Sequence, residues 1–434
     1  MSMKVLDVYR QAENDLLAKN YEKALAGLGA VIQADPGELR ARFLVASTLE
    51  QMKATNRAFE VYHALTLHCL KAGYPLPGLV AFKKASSLQA KIDDLLDTIV
   101  ELYSLESDRV DQDLPLPGLP ELNGEAEVDG PLEMDDKTRH RVAQLAQTFP
   151  QGGYPRKLPA FPLLSLLTSE TIFPILEIVE TKAFRPGDPI VNEGDPCTSI
   201  YMLAFGEVEV REGGEKEGRS LAVLPAGSIF GEMALITDGP RLASARALRD
   251  SEVLEISLPE LEAAAEDLDD ITWAVAKFTR QRFLNNLMVC SPVFAPFSPE
   301  ERKEILDRFA SVGVMTDEVI IKEGEVGPGL YLILGGEVEV SKFEGGSQVH
   351  LATLAEGSVF GEISLVRDTP TTATVRATRG GEFLFLPREE FLELAEQRPE
   401  IRQALDALSG ERLEEQRLAL AREQEVSEDG TIIF

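Results

Sequence analysis

The second half of this 434-residue chain repeats itself at a fixed distance, which leaves it few ways to fold. Phe230-Gly231-Glu232-Met233-Ala234-Leu235 is followed by Pro240-Arg241-Leu242-Ala243-Ser244. The pattern returns as Phe360-Gly361-Glu362-Ile363-Ser364-Leu365 and Pro370-Thr371-Thr372-Ala373-Thr374. The shift is 130 residues at both places, from 230 to 360 and from 240 to 370. Gly194 and Gly324, Tyr201 and Tyr331, Gly206 and Gly336, and Val208 and Val338 keep the same step. A constant shift without insertion indicates duplication of a whole domain rather than recurrence of a short motif.

Within each copy the grammar is that of short strands. Phe184-Arg185-Pro186-Gly187-Asp188 and Glu193-Gly194-Asp195 read as turns, Ile200-Tyr201-Met202-Leu203 as a strand, and Glu207-Val208-Glu209-Val210 alternates as a half-buried strand should. Such spacing predicts an all-β roll or sandwich, with a helix over 169–179 before the first copy and helical pattern over 259–287 after it. Residues from about 5 to 104 instead carry apolar residues at three- and four-residue spacing. There Ala24 and Ala58 lie 34 residues apart, as do Leu28 and Tyr62. Paired helices with this period resemble tetratricopeptide repeats, although a third unit near Leu79-Val80-Ala81-Phe82 falls out of phase. The resemblance implies a groove for an unidentified protein partner.

The expected fold class is multidomain α + β: an α-helical repeat-like domain followed by two β-rolls with flanking helices. The expected divisions are a helical interaction domain (1–105), an acidic Pro-rich linker (106–160), a first roll (161–287), a second roll (288–408) and a charged helical tail (409–434). Leu114-Pro115-Leu116-Pro117-Gly118-Leu119-Pro120 cannot hold helix or sheet, and the acidic flanks predict a disordered tether with a short helix near 137–147. That helix carries Arg139-His140-Arg141-Val142-Ala143, a faint echo of a kinase pseudosubstrate that reads better as a basic helical turn.

A formal net charge of −30 argues against nucleic acid or an anionic membrane as the main partner. No apolar run approaches the roughly 18 residues of a membrane span. Cys69, Cys197 and Cys290 lack metal-ligand spacing, as expected of reduced cytosolic thiols. A soluble cytoplasmic protein is expected. No phosphate-cradling P-loop, kinase signature, metal-binding His pair or nucleophile elbow occurs, so neither enzymatic activity nor a cofactor is expected.

The repeated segment has the parts that a cyclic phosphodiester requires. A helical turn opening at Gly231 would aim free backbone N–H groups at a phosphate, and glycine permits close approach. Glu232 is a strong acceptor for a sugar hydroxyl. Arg241 supplies a forked cation for the exocyclic oxygens, and Pro240 stiffens its approach. This arrangement resembles the phosphate-binding cassette of cyclic nucleotide-binding domains, found in regulatory subunits of cyclic AMP-dependent kinase, catabolite activator proteins and nucleotide-gated channels. The resemblance spans about 161–285 and 292–408. It implies an eight-stranded β-roll, with Gly231, Glu232, Met233, Ala234, Arg241, Leu242, Ala243 and Ser244 around the ligand. Guanine-preferring sites of that family often place a hydroxyl after the arginine; Leu242 offers none, so cyclic AMP is expected. Trp273, Phe278, Phe294 and Phe297 are candidate lids for the base.

The second copy keeps Gly361, Glu362, Ile363 and Ser364 but has Thr371 in place of the arginine. A hydroxyl cannot neutralise a phosphate, and Arg367 and Arg376 are the nearby cations that could reach inward. Thr372 places a hydroxyl at the guanine-sensing position, leaving cyclic GMP open there. The expectation is a non-enzymatic cyclic nucleotide receptor. The rivals are a scaffold with ligand-free rolls and an inhibitory subunit of a protein kinase.

Overall fold

The computed structural model describes residues 2–89, 91–124, 126–129, 135–150, 152–213, 218–231, 240–241, 243–266, 271, 273–275, 277–278, 284, 293–294, 296–344, 346–355 and 357–429. Its contacts form two compact units, Met1–Thr279 and Arg280–Phe434.

The first unit opens with helices α1 (Val5–Leu17), α2 (Tyr21–Ala34), α3 (Leu39–Gln51), α4 (Thr55–Ala72), α5 (Pro75–Leu88) and α6 (Asp93–Tyr103). The 34-residue spacing is a packing period, because Ala24, Ala58, Leu28 and Tyr62 are all fully buried. The out-of-phase segment forms α5, which packs on α4, as α6 also does. Gly73 ends α4 in the left-handed region (φ 87°), and Pro75 opens α5 where no N–H is needed.

Helix α7 (Asp136–Gln147) is capped by the Asp135 side chain, which accepts from Thr138 N, and lies across α2, α3 and α4. The approach is close: a Cβ on Gly29 would stand 2.7 Å from Val142 Cγ2. Fully buried Arg42 closes this interface, donating to the carbonyls of Leu145 (2.7 Å), Ala146 (2.9 Å) and Pro36 (2.6 Å) and stacking on Phe149. Burial lowers its pKa to about 10. The Arg139–Ala143 segment is thus helical, with Val142 and Ala143 buried and Arg139 paired with Glu22 at 2.9 Å.

The expected disordered tether is tied down instead. Val110–Asp111 pairs with Leu158–Pro159, and Glu127–Asp129 pairs with Ser2–Lys4. Asn123 N donates to Asp35 Oδ2 at 3.0 Å, and Leu116, Leu119 and Leu122 pack against the helical core. The prolines forbid regular hydrogen-bonded structure, but they do not stop the leucines between them from burying surface.

The first roll follows α8 (Ile172–Ile178). Its strands are β1 (Val179–Phe184), β2 (Pro189–Val191), β3 (Ser199–Phe205), β4 (Glu207–Glu212), β5 (Arg219–Pro225), β6 (Ile229–Phe230), β7 (Ser244–Ala247) and β8 (Ser251–Ser257). They form two antiparallel sheets, ordered β6-β3-β8-β1 and β2-β7-β4-β5. Tyr201, Leu203, Val208, Phe230, Ala245 and Val253 fill the space between them. Every residue of β3 is buried because its outer face is also covered. Ile200, Met202, Ala204, Leu254 and Ile256 join the helical core there. The Phe43 and Phe205 rings lie 5.1 Å apart, while Arg40 lies over Phe205 and 3.8 Å from Glu252. The stack is therefore covered by this same chain on two sides, by the roll and by α7.

Helix α9 (Leu258–Glu266) closes the first roll, and much of the predicted 259–287 helix lies outside the described residues. The second unit has α10 (Pro299–Leu306), with a Ser298/Glu301 capping box. Its strands are β9 (Ala310–Val314), β10 (Val319–Ile321), β11 (Gly329–Ile333), β12 (Glu337–Glu344), β13 (Ser347–Ala355), β14 (Val359–Phe360), β15 (Thr374–Arg379) and β16 (Gly381–Pro387). Sheets β9-β16-β11-β14 and β10-β15-β12-β13 repeat the topology of the first roll. Helix α11 (Glu362–Val366) lies between β14 and β15, and α12 (Arg388–Gln397) and α13 (Pro399–Asp429) follow. The predicted boundary at 409 falls inside α13, which runs through it unbroken.

Candidate functional site

In the first roll, β6 ends at Phe230 and is followed by Gly231, whose φ of 78° suits glycine. Glu232, Met233, Ala234 and Leu242 lie outside the described residues. Arg241 is held by its backbone: its N donates to Asp195 O, and its O accepts from Gly194 N, both at 2.8 Å. Ser244 Oγ accepts from Glu193 N at 2.9 Å, which fixes the same turn, and Ala243 between them is half-buried.

The Arg241 side chain turns inward and is 6% exposed. Nη1 donates to Gly231 O at 3.1 Å and Nη2 to Ser199 O at 2.7 Å. The guanidinium lies 5.6 Å from the centre of the Tyr201 ring, and Nε has no partner among the described residues. A Cβ at Gly231 would stand 2.8 Å from Nη1, so in this geometry the glycine makes room for the arginine itself.

Behind Arg241 lies a polar chain that the sequence reading missed. Tyr201 Oη donates to Glu255 Oε1 at 3.2 Å, and Glu255 is ion-paired with Lys182. Burial pushes the Glu255 carboxyl up, but hydrogen bonds from Lys182 and Ser199 outweigh it, and the pKa ends below its ordinary value. The signal was present: Glu255 stands between the apolar Leu254 and Ile256 in β8.

In the second roll, Gly361 (φ 89°) opens α11 at the end of β14. Glu362, Ile363 and Ser364 are all buried, and Glu362 is 1% exposed. Ser364 Oγ donates to Gly361 O at 3.1 Å. Gly327 admits that serine, since a Cβ there would stand 2.0 Å from Ser364 Oγ. Thr371 keeps the backbone frame of Arg241: its N donates to Glu325 O and its O accepts from Gly324 N, both at 2.9 Å. Its hydroxyl is committed to that turn, 2.6 Å from Lys322 O and 3.2 Å from both Glu325 O and Glu325 N.

Neither expected substitute cation reaches inward. Arg376 donates outward to Asp317 O at 2.8 Å, and Arg367 lies 3.7 Å from Asp406 of α13. The arginine that does arrive is Arg412 of α13, whose Nη1 stands 2.8 Å from Glu362 Oε1 and 2.5 Å from Val359 O. One sequence signal could have found it: the same 130-residue shift aligns Arg412 with Arg282. A cavity of about 90 Å³ remains, lined by residues that include Leu351, Leu354, Thr372, Ala373, Arg412 and Gln416. Of the proposed lids, Phe278, Phe294 and Phe297 are buried core residues; Trp273 is half exposed, with the Lys277 ammonium over its ring.

Comparison with known proteins fits this geometry. The family profile described as "Cyclic nucleotide-binding domain" matches residues 181–267 and 312–398. A cAMP-dependent protein kinase regulatory subunit from Yarrowia lipolytica is 29% identical over 232 residues, which is 54% of this chain and 58% of the relative. The regulatory subunit from Debaryomyces hansenii is 31% identical over 203 residues, covering 47% and 42%. The chain spans about half the length of these curated relatives. Among solved structures, the regulatory domain of Toxoplasma gondii PKA with cAMP is 21% identical, with coverage of 57% and 92% and a TM-score of 0.28.

Proposed function

From two cyclic nucleotide-binding domains homologous to those of cAMP-dependent kinase regulatory subunits, we propose that this chain is a non-enzymatic receptor that takes cyclic AMP in its first roll. One observation carries the reading. Arg241 is a buried guanidinium with no carboxylate partner among the described residues and an unpartnered Nε. A buried cation without a counter-charge is costly, and a cyclic phosphate would supply one. Arg42 is buried similarly and its Nε is likewise unpartnered, but its Nη1 donates to the carbonyl end of α7, where a cation is favoured.

Binding would draw Arg241 away from the carbonyls of Gly231 and Ser199 and so disturb β3 and β6. Through Tyr201 and Glu255 the change would reach β8. The outer face of that sheet carries the helical stack through Arg40 and Glu252. The response would then alter what the helical stack offers a protein partner. A kinase regulatory subunit is the second reading, favoured by the relatives. In it the Arg139–Ala143 segment would have to leave α7 before a kinase could engage it. Calorimetry on the full chain tests the first reading: saturable heat with cyclic AMP, weaker heat with cyclic GMP, and loss of both in Arg241→Ala. No heat with either nucleotide, for a folded chain, rejects it.

A further inference from the structure

We propose that the groove formed by α2, α3 and α4 is a docking site for a helix of another protein, and that α7 is its internal stand-in. The partner is a short amphipathic helix with small side chains along one face and its carbonyl end directed at Arg42. The inference concerns the helical stack and does not depend on whether either roll binds nucleotide.

The groove is built for a close-packed helix. Val142, Ala143 and Ala146 are the buried residues of α7, and their spacing makes one narrow stripe. Opposite the stripe stands Gly29, where any side chain would collide with Val142. Arg42 marks the far end. Its Nη1 holds the carbonyls of Leu145 and Ala146, two of the last four in α7, which a helix leaves without regular internal partners. The guanidinium lies 4.3 Å from the centre of the Phe149 ring, and its Nε has no partner among the described residues. A buried cation placed this way reads a helix terminus, and any helix reaching the same depth can supply the carbonyls. The rim adds polarity to the code. Glu22 meets Arg139 at 2.9 Å, Arg57 meets Asp136 at 3.5 Å, and Glu60 accepts from Gln147 at 3.3 Å. A partner helix therefore carries a cation and an anion near its start, small residues through its middle and an open carbonyl end.

Helix α7 itself is held lightly. Three of its twelve residues are buried, against nine of fourteen in α2 beneath it. Two of the three are alanines, which bury little apolar area. Its rim pairs each include an exposed partner, and such pairs add little to stability. Belonging to the same chain gives α7 a high effective concentration at the groove without demanding strong contacts. Its occupancy thus owes as much to the tether as to the fit, which is the property of a displaceable occupant.

A fluorescently labelled peptide of residues 135–150, titrated against the full chain by anisotropy, tests this. The docked α7 leaves the groove open for only a fraction of the time, and apparent affinity falls by that fraction. Val142→Asp in the chain should expel α7 and tighten peptide binding by about tenfold. Adding Gly29→Val to that variant should abolish binding, because the new side chain fills the groove. Equal affinity for wild type and Val142→Asp, no binding to Val142→Asp, or binding that survives Gly29→Val overturns the proposal. Loss of helical circular dichroism in Val142→Asp would make α7 an integral layer of the stack and also overturns it. Native-state hydrogen exchange on the wild type gives a second reading without any substitution. Amides of 140–147 should exchange about tenfold faster than those of α2 and α4, as expected if α7 opens alone. Rates within about twofold of each other mean that α7 opens only with the stack, and the proposal falls.

Discussion

The two rolls share a frame and differ in what fills it. Glu193 N donates to Ser244 Oγ and Gly213 N to Glu193 Oε2; Glu323 N donates to Thr374 Oγ1 and Phe343 N to Glu323 Oε2. Tyr201 stacks on Phe230 at 5.3 Å, and Tyr331 on Phe360 at 4.9 Å. Against this constancy, one connected set of side chains has changed together. Lys182, Glu255 and Arg241 surround Tyr201, whereas Val312, Phe385 and Thr371 stand in their places around Tyr331. Phe385 packs on Tyr331 at 4.6 Å where Glu255 accepts the Tyr201 hydroxyl. Lys182 and Glu255 are replaced as a pair, since without Lys182 the Glu255 carboxylate would be a buried charge short of its ion-pair partner. Backbone clamps hold the loop shape in both copies, so the frame does not depend on the ligand chemistry.

The sharpest way to break this comparison is at the arginine itself. Arg241→Ala should weaken cyclic AMP binding by roughly thirty- to several-thousand-fold, the equivalent of about 2–5 kcal/mol for a buried charged partner. Arg241→Lys should lose much of the same binding because the fork is gone. Thr371→Ala should leave cyclic AMP affinity unchanged, and titration of all three variants reads the contrast directly.

The reverse graft should be weaker than the cassette alone would suggest. With Arg241→Ala silencing the first roll, Thr371→Arg should bind cyclic AMP about tenfold more weakly than the wild-type first roll does, because Val312 and Phe385 stand where the first roll has Lys182 and Glu255. Equal affinity would show that the missing cation alone separates the rolls. Replacing the polar chain, by Glu255→Phe with Lys182→Val, should cost the first roll about three- to tenfold in affinity, the lower range for coupled neighbours. An unchanged constant would leave the chain a purely structural feature.

The smallest expected effect is in pH dependence. The folded-state pKa of Glu255 lies below its ordinary value, so its contribution to stability is present above the unfolded value and is lost as pH falls through the folded one. The same contact raises Lys182, whose share is lost only as pH rises through its folded value. Glu255→Gln should therefore lower the denaturant midpoint at neutral pH, and the deficit should shrink on acidification. No such convergence is expected for Phe385→Leu in the second roll.

Much of this was legible in the residues. The 130-residue shift, the turns around Gly194 and Gly324 and the missing arginine at 371 can all be read directly, because each depends on local identity or on comparing one copy with the other. The leucines between the linker prolines were misjudged because backbone propensity says nothing about what a neighbouring surface will bury. Arg412 stands among Glu411, Glu414 and Glu415, where local pattern describes only a solvated charged helix.

The sequence alone therefore determined the strand grammar of both rolls and the inequality of the two cassettes, since backbone preference and side-chain chemistry travel with the residue. The tertiary structure decided which carboxylate Arg412 meets, which turn holds the Thr371 hydroxyl and which faces of the helical stack remain covered. Those outcomes depend on distances between segments far apart in the chain, and no local pattern encodes where α13 will cross α11.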